Sequence, residues 1–493
     1  MEQALTHAVA LHDTAALRRV EAAFAEAGDP FELMQRAGQS GWRQLLRRWP
    51  QAQRIVVACG SGNNGGDGYI VATHALQAGR DVDVVRISGP GSALAKRASA
   101  AFDAAGGRCT DDLAAFAGAD VIVDALFGIG LSRAPDGALA DVISAINASA
   151  RPVLALDVPS GVDANSGDVP GFAVRAAVTL QFLAPHPGLV TGAALDYCGA
   201  TTTDALGVEL ERNDAQAFAL GADALVDWLQ PRPRDSHKGT NGHVLCVGGD
   251  HGSAGAIALC AQAALRSGSG LVSVATRPDH VAALIGARPE LMAAAVESEA
   301  ALERLVQRAD VIAIGPGLGQ QAWGASMWAF VLASGKPCVI DADALNMLAR
   351  EPRALPADMV MTPHPGEAGR LLDCRTGDVQ SDRFAAARSL VDRYQCVVVL
   401  KGAGTIVAAP GRAPRVISAG NPGMAVGGMG DLLTGVIAAL RAQGLPAFEA
   451  AACGALLHAV AGDDAAADGG ERGMLPTDLL VHLRRRANAE VSR

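Results

Sequence analysis

GNPGMAVGGMGDLLTGVIAAL runs from Gly420 to Leu440 and changes abruptly from a glycine-rich loop to an apolar segment. The apolar side chains share one helical face, which predicts a helix starting near Gly430. The first N–H groups of that helix, preceded by a loop with little side-chain bulk, would form an anion site. Asp431 lies where loop and helix meet. Two interpretations remain open from these residues alone: a helix-capping acid, or a base that accepts a hydroxyl proton during phosphoryl transfer.

Composition narrows the class of protein. The chain has 493 residues and a net charge of −10, so it lacks a general attraction for nucleic acid or anionic membranes. Its nine cysteines are scattered without CxxC spacing, which argues against a zinc site and a disulfide framework. We find no secretory leader and no apolar segment of membrane-spanning length. The sequence therefore predicts a cytoplasmic protein without nucleic-acid or membrane partners.

Both halves of the chain alternate short β-rich runs with helical stretches, the pattern of α/β domains with parallel, doubly wound sheets. The first series is RIVVAC, DVDVVRI, DVIVDAL, PVLALDV and AVTLQF. The second is HVLCVGG, LVSVAT, DVIAIG, PCVIDA, DMVMTP and CVVVLKG. A proline-rich polar stretch separates them, and we place the boundary between Arg212 and Ala224. Two domains are predicted, residues 1–215 and 216–493.

Several motifs of the second half follow predicted strands. GPGLG contains Gly315, Gly317 and Gly319 and permits close approach of a ligand to the backbone. TPHPGE places His364 in a proline-stiffened turn, and LKGAGT places Lys401 in a turn between two strands. Ligands of such sheets gather at the carboxyl ends of strands, so these motifs predict one site.

These motifs, together with HKGTNGHVLCVGGDHGSAGA and VIDADALN, resemble in order the ADP- or ATP-dependent NAD(P)H-hydrate dehydratases of the ribokinase-like superfamily. The resemblance covers residues 225–485. It implies that phosphate from the nucleotide is transferred to the hydroxyl of hydrated NADH or NADPH, which then leaves and restores the ring. Asp431 would accept the hydroxyl proton. The anion hole would comprise Gly428, Met429 and Gly430. Nucleotide contacts would come from Lys401, Gly402, Ala403, Gly404, Thr405 and Gly430. Contacts to the hydrated substrate would come from Ala256, Gly317, His364 and Asp431.

The first half contains CGSGNNGGDGYIVATH after a predicted strand, so Gly62–Gly68 is either a phosphate-cradling turn or a purely structural loop. Asp124 and Asp157 follow two other strands, and Ser160 is close to the second. Asn64, Asp124 and Ser160 together offer oxygen ligands that suit a hard cation, although any one of them taken alone fits ordinary hydrogen bonding better.

With LMQRAG at Leu33–Gly38, these motifs resemble the NAD(P)H-hydrate epimerase family over residues 15–205. The resemblance implies a Rossmann-like fold and potassium bound by Asn64, Asp124 and Ser160. It assigns the hydrated nucleotide to Asp157 and two loops: Asn63, Asn64, Gly65, Gly66, Asp67, Gly128, Ile129, Gly130, Leu131, Ser132, Arg133 and Ala134. Loss of hydroxide and return of water on the other face would invert the carbon. Asp157 is the catalytic candidate, with Asp124 left open as an alternative proton carrier.

Two positions depart from the epimerase pattern. His186, in APHPG, stands where family members commonly carry the lysine of PKPG, and Ile129 replaces a more usual small polar residue. If that lysine assists ligand binding, its function is expected to be weakened or pH-sensitive in this chain.

The leading hypothesis is a bifunctional repair enzyme that epimerises R and S hydrates and dehydrates the S form, releasing AMP from ADP, and phosphate. It would use K⁺, Mg²⁺ and either ADP or ATP, act on small molecules, and form a homo-oligomer. Two alternatives remain: a ribokinase-like small-molecule kinase, and a first domain that only senses nucleotide.

Overall fold

The computed structural model describes residues 6–131 and 133–488, and these ranges form two compact units. The N-terminal unit comprises Ala10–Ala217. The C-terminal unit begins at Phe218 and also includes residues 6–9, which the sequence prediction placed in the first domain. No helix in the described ranges is long and apolar enough to cross a membrane.

The strands of the described residues are short and mostly buried. They are β1 Ala8–Leu11, β2 Arg54–Cys59, β3 Asp81–Val85, β4 Arg108–Thr110, β5 Val121–Ala125, β6 Val153–Leu156, β7 Val178–Phe182, β8 Ala200–Asp204, β9 Ala217–Leu220, β10 His243–Val247, β11 Leu271–Thr276, β12 Met292–Ala295, β13 Val311–Ile314, β14 Cys338–Ile340, β15 Val360–Met361, β16 Val397–Leu400, β17 Ile406–Ala408 and β18 Arg415–Ile417. Every strand predicted from the sequence is present within this set.

The α-helices of the same ranges lie mostly between strands, as crossover connections require. They are α1 Thr14–Ala27, α2 Pro30–Arg48, α3 Asn63–Gln77, α4 Ala93–Ala104, α5 Gly137–Ala148, α6 Ala254–Arg266, α7 Pro278–Ala287, α8 Glu299–Val306, α9 Ala322–Ala333, α10 Ala342–Arg350, α11 Pro365–Leu372, α12 Thr376–Ser381, α13 Arg383–Tyr394, α14 Met429–Ala442, α15 Ala447–Gly469 and α16 Leu479–Arg486.

The described residues of the N-terminal unit form a seven-stranded sheet in the order β4-β3-β2-β5-β6-β7-β8, with every neighbouring pair parallel. Ile55 and Val57 of β2 pack into one apolar cluster, and Val56 and Ala58 into another. Successive side chains of a strand point to opposite faces, so this sheet is buried on both sides, which confirms the doubly wound prediction. The strand order reverses between β2 and β5, where such folds leave a crevice for ligands.

The described part of the C-terminal unit is built on an eleven-stranded sheet in the order β1-β9-β18-β17-β16-β15-β14-β13-β10-β11-β12. Every neighbouring pair in the part of this order from β16 to β12, which includes β10 and β11, is parallel. In contrast, β17 pairs antiparallel with both β16 and β18. The strand order reverses between β13 and β10, which places the glycine turns after these two strands at a second crevice. The α/β prediction is therefore confirmed for this half also.

Helix α14 lies in the core of the C-terminal unit. It begins at Met429, after Gly428 in a left-handed conformation (φ 97°), close to the predicted start. Its apolar side chains pack against α6 and α15, and each contributes about 1.5–3 kcal/mol when fully buried. A methyl group at Gly435 would overlap the carbonyl oxygen of Cys260 in α6, so the two helix backbones are in close contact. This packing fixes the N-terminus of α14 relative to the sheet.

Candidate active sites

An ion pair between a buried carboxylate and a partly exposed lysine forms the floor of the site in the C-terminal unit. Asp341 follows β14 and Lys401 follows β16, and their Oδ1 and Nζ atoms are 2.8 Å apart. Thr434 of α14 donates to the other Asp341 oxygen at 2.8 Å. Although burial opposes ionisation, Lys401 and these hydrogen bonds hold the pKa of Asp341 below its usual range. Asp341 raises the pKa of Lys401 despite its burial, so both groups are charged.

Asp431 lies in the first turn of α14, near enough to Asp341 and Lys401 for their charges to act on its pKa. Burial, followed by the charge of Asp341, raises the pKa of Asp431 to about 7, with Lys401 acting in the opposite direction. Glu367 adds to the same effect, and its Oε2 atom lies 3.8 Å from Nζ of Lys401. A carboxyl with a pKa near neutrality is suited to accept a proton and release it again.

Gly430, in the first turn of α14, leaves room for the Lys401 side chain. A Cβ atom at Gly430 would lie 3.0 Å from Nζ of Lys401 and 3.6 Å from Oδ2 of Asp341. The predicted anion hole, Gly428 to Gly430, therefore stands directly beside an ammonium group. Free helix N–H groups and a fixed positive charge together suit a phosphoryl group.

His364 has a structural role and remains exposed. It precedes α11, and its Nδ1 atom accepts hydrogen bonds from the N–H groups of Gly366, at 3.0 Å, and Glu367, at 3.4 Å. Glu367 in turn accepts from the N–H of His364 at 2.8 Å, which completes a capping box. Burial and the charge of Lys401 lower the pKa of His364. The neutral ring therefore presents Nε2–H, and its side chain is 51% exposed.

The remaining predicted contacts of this unit fall into two groups. Gly317 has a positive φ of 57°, and a Cβ atom there would lie 2.7 Å from Ser253 and 3.3 Å from the Cβ of Ala256. The structure thus brings Gly317 and Ala256 together at the reversal between β13 and β10. The turn from Lys401 to Thr405, which includes Ala403 and Gly404, connects β16 and β17.

That turn rests on a buried arginine. Arg383 in α13 is fully buried and donates to the carbonyl oxygens of Leu400 and Lys401, each at 3.2 Å. A Cβ atom at Gly402 would lie 2.9 Å from its guanidinium. Burial lowers the pKa of Arg383 to about 10. Arg383 therefore supports the turn from below.

Sequence reasoning assigned no role to Asp341 or Arg383. Asp341 was within reach of the sequence, because VIDADALN ends a predicted strand at the same sheet edge as the other motifs. Arg383 gave no signal, since it lies in an ordinary helical segment.

In the N-terminal unit, Asn64, Asp124 and Ser160 lie around one loop. Ser160 donates through its hydroxyl to Oδ1 of Asp124 at 2.6 Å and through its N–H to Oδ2 at 2.8 Å, and its Oγ accepts from Phe127 at 2.9 Å. A Cβ atom at Gly128 would lie 3.4 Å from the Cβ of Asn64. Burial raises the pKa of Asp124 to about 6, against the opposing hydrogen bonds from Ser160.

The side chain of Asn64 shows whether these residues suit a bound cation. Its amide nitrogen donates to Leu156 at 3.2 Å, whereas its Oδ1 atom is buried and has no hydrogen-bond partner within residues 6–131 and 133–488. The buried carbonyl oxygen of Asn64, with the Asp124 carboxylate and the Ser160 hydroxyl around the same loop, is a donor set that fits a potassium ion.

Asp157 follows β6 and contacts the same loop. Its Oδ2 atom accepts from the N–H of Ile129 at 2.9 Å, and a Cβ atom at Gly128 would lie 2.5 Å from it. Its Oδ1 atom is 3.0 Å from Nε2 of His186. His186 is therefore a buried partner of the candidate carboxylate, which the sequence comparison with lysine did not anticipate.

The other predicted nucleotide contacts lie around this crevice. Asn63 to Asp67 form the first turns of α3, and burial, then the charges of Asp157 and Glu21, raise the pKa of Asp67 well above its usual range. The loop after β5 carries Gly130, Leu131, Arg133 and Ala134. Ser132 lies outside the described residues.

Comparisons with known proteins agree for both halves. Residues 244–485 match the family model described as NAD(P)H-hydrate dehydratase, and residues 30–188 match the one described as YjeF-related protein N-terminus. The bifunctional NAD(P)H-hydrate repair enzyme Nnr of Coxiella burnetii is 45% identical, covering 96% of this chain and 98% of its own. The enzyme of the same name from Escherichia coli is 44% identical, covering 94% and 90%. A solved ribokinase-like superfamily protein from Enterococcus faecalis is 32% identical, with a TM-score of 0.52, covering 56% of this chain and 96% of its own.

Proposed function

The chain belongs to the family of bifunctional NAD(P)H-hydrate repair enzymes, and from that premise we propose how its two sites share the repair. It is an NAD(P)H-hydrate epimerase and an NAD(P)H-hydrate dehydratase in one polypeptide. In our proposal the N-terminal unit interconverts the R and S hydrates, and the C-terminal unit dehydrates the S form. The earlier alternative, a kinase fused to a sensing module, has no support in relatives that match over almost the whole chain.

The dehydratase reaction begins with a poor leaving group, the hydroxyl on C6 of the hydrated nicotinamide ring. Asp431 accepts the hydroxyl proton while the oxygen attacks the terminal phosphorus of ADP or ATP. The bond between that phosphorus and the bridging oxygen breaks, which releases AMP from ADP. Phosphate then leaves C6 with its electron pair, assisted by the ring nitrogen, and loss of a C5 proton restores the double bond.

The residues below Asp431 supply its charge environment. Burial and the charge of Asp341 raise the pKa of Asp431 to about 7, so that the carboxyl can take up the proton. Lys401, fixed by Asp341 at 2.8 Å, offers positive charge to the transferring phosphoryl group beside Gly430. The observation that carries the proposal is the placement of Asp431 in the first turn of a helix that begins after Gly428, near the ammonium group of the largely buried Lys401.

In this proposal the nucleotide is held mainly by backbone groups, and its metal ion by the phosphates of the nucleotide. The turn from Lys401 to Thr405 borders the nucleotide. Among the described residues, no group of three or more His, Cys, Asp or Glu side chains could hold a metal ion. Magnesium would therefore be bound chiefly by the nucleotide phosphates, as is usual for this ion, and would neutralise their charge.

For the epimerase, the geometry favours Asp157 over Asp124 as the proton carrier. The Asp124 carboxylate is fully buried, with hydrogen bonds from Ser160 and Leu126 on its oxygens. Asp157 remains partly exposed, with the N–H of Ile129 donating to one oxygen and Nε2 of His186 lying 3.0 Å from the other. In our proposal Asp157 protonates the departing hydroxyl as the C6–O bond breaks, and then accepts a proton from the water that adds to the opposite face.

We further propose that Asn64, Asp124 and Ser160 would hold potassium, because Asn64 Oδ1 is a buried acceptor without a partner among the described residues. A bound cation would supply positive charge near the pyrophosphate of the substrate. Asp124 then serves the cation rather than proton transfer.

The test is recovery of dihydronicotinamide absorbance from an epimer mixture of hydrated NADH, with magnesium, potassium and either ADP or ATP. Full recovery with one nucleotide is expected and identifies the donor. Recovery that stops at the S fraction would refute the epimerase assignment, and no recovery with either nucleotide would refute the dehydratase assignment. Asp431→Asn is expected to retain nucleotide binding and lose most turnover.

A further inference from the structure

Asp157 has an unusual backbone conformation. Its φ of 68° lies in the left-handed region, which costs a residue with a side chain of the order of 1 kcal/mol or more. Its N–H donates to the carbonyl oxygen of Leu180 at 2.7 Å, which ties this strained residue to β7. Strain of this kind persists where the surrounding structure holds a residue in place. The position of the Asp157 carboxylate is therefore built into the sheet edge.

His186 reaches Asp157 from the end of the neighbouring strand, β7. The residue is fully buried, and its own N–H donates to Oε1 of Gln181 at 2.7 Å, so the backbone under the ring is anchored. Nε2 lies 3.0 Å from Oδ1 of Asp157. Nδ1 is buried without a hydrogen-bond partner in the part of the chain that the structure describes. The ring therefore contacts Asp157 through Nε2, and its other nitrogen makes no hydrogen bond in the described part of the chain.

We infer that His186 is a positioning residue of the epimerase, which acts by donating Nε2–H to Oδ1 of Asp157. This inference rests on the proposed role of Asp157. With the Ile129 N–H on Oδ2 and the His186 ring on Oδ1, the carboxyl group is held in one orientation. Each oxygen keeps a second lone pair that can carry the proton given to the departing hydroxyl and taken back from the incoming water. Fixing a reacting group in this way lowers the reorganisation that the reaction requires.

The test uses the purified R hydrate of NADH and the full chain, without ADP or ATP, so that the dehydratase is silent. Conversion to the S hydrate is followed by chromatography. His186→Leu keeps the bulk and removes the donor, and His186→Gln restores an N–H donor. His74→Leu, at a half-buried histidine in α3, is the matched control.

We expect His186→Leu to lower kcat at least about tenfold with KM nearly unchanged, and His186→Gln to recover most of kcat. A wild-type kcat in His186→Leu, or a glutamine variant as slow as the leucine variant, would overturn the inference. A rise in KM alone would also overturn it, because the ring would then serve binding.

A double-mutant cycle separates positioning from a folding defect. If His186 acts through Asp157, adding His186→Leu to Asp157→Asn causes no further loss of kcat. A general folding defect would produce the same loss in both backgrounds and would count against the inference. A wild-type kcat in Asp157→Asn alone would instead refute the proposed role of Asp157, so the two failures are distinguishable.

Discussion

The pH dependence of the dehydratase should report the ionisation of Asp431. A base must be ionised to accept a proton, and the pKa of Asp431 is raised to about 7. Because the raised pKa keeps the carboxyl protonated in acid, kcat/KM should fall as the pH is lowered. The ionised fraction is roughly one tenth at pH 6 and one hundredth at pH 5, so kcat/KM should drop about tenfold per pH unit below neutrality.

Asp341→Asn tests the cause of that pKa. The substitution removes the carboxylate that, after burial, contributes most to raising it, and it frees Lys401 to stabilise the ionised form of Asp431. The midpoint should therefore move toward lower pH. If it reached the ordinary aspartate value of 3.8, kcat/KM would change little between pH 5 and 8, against about a hundredfold for the wild type. The plateau rate should also fall, because Lys401 loses its anchor.

The assay measures absorbance recovery from the pure S hydrate between pH 5 and 8 at constant ionic strength. The terminal phosphate of the nucleotide titrates in the same range, with a pKa of about 6, but identically for both proteins. Asp392→Asn, at an exposed carboxylate of the same unit, is the control and should retain the wild-type profile. A wild-type rate that is flat from pH 5 to 8, or an unchanged midpoint in Asp341→Asn, would refute the reasoning.

Three further outcomes are expected. Gly128→Ala should abolish most epimerisation of the R hydrate and leave dehydration of the S hydrate unchanged, because the added methyl would lie 2.5 Å from Oδ2 of Asp157; equal loss of both activities in the two assays would contradict this. Replacing potassium by choline should slow epimerisation measured without nucleotide, and titrating potassium back should restore it; a potassium-independent rate would argue against the cation site. Gly435→Ala should lower the melting temperature, since overpacking costs about 1–3 kcal/mol, whereas Gly286→Ala, which has open space around it, should not.

The fold was largely accessible from the sequence because local rules determine most of it. Alternating β-rich runs and helical segments predicted both sheets, and apolar periodicity after a glycine loop placed the start of α14 within one residue of its observed position. The glycine motifs were placed correctly at the carboxyl ends of strands. Local rules could not show that residues 6–9 belong to the C-terminal unit rather than to the N-terminal one.

The pairings inside the sites were beyond the sequence for a different physical reason. Asp341 and Lys401 are 60 positions apart, and His186 and Asp157 are 29 apart. Each residue could be assigned to the correct sheet edge, but a hydrogen bond depends on strand order and side-chain direction, which periodicity does not encode. His364 shows the same limit, because one imidazole both caps α11 and keeps about half of its side chain exposed.

The two candidate carboxylates illustrate how one residue type is adapted to two reactions. Burial, followed by the charges of Asp341 and Glu367, raises the pKa of Asp431 to about 7, which suits its proposed role of accepting a hydroxyl proton during phosphoryl transfer. Asp157 instead has a donor on each oxygen and a backbone tied to the neighbouring strand, which limits its movement. The reaction proposed for Asp157 exchanges water between two faces of one carbon, which requires a carboxyl group held in a fixed direction. Exchanging the two environments should therefore impair both activities even if each aspartate were retained.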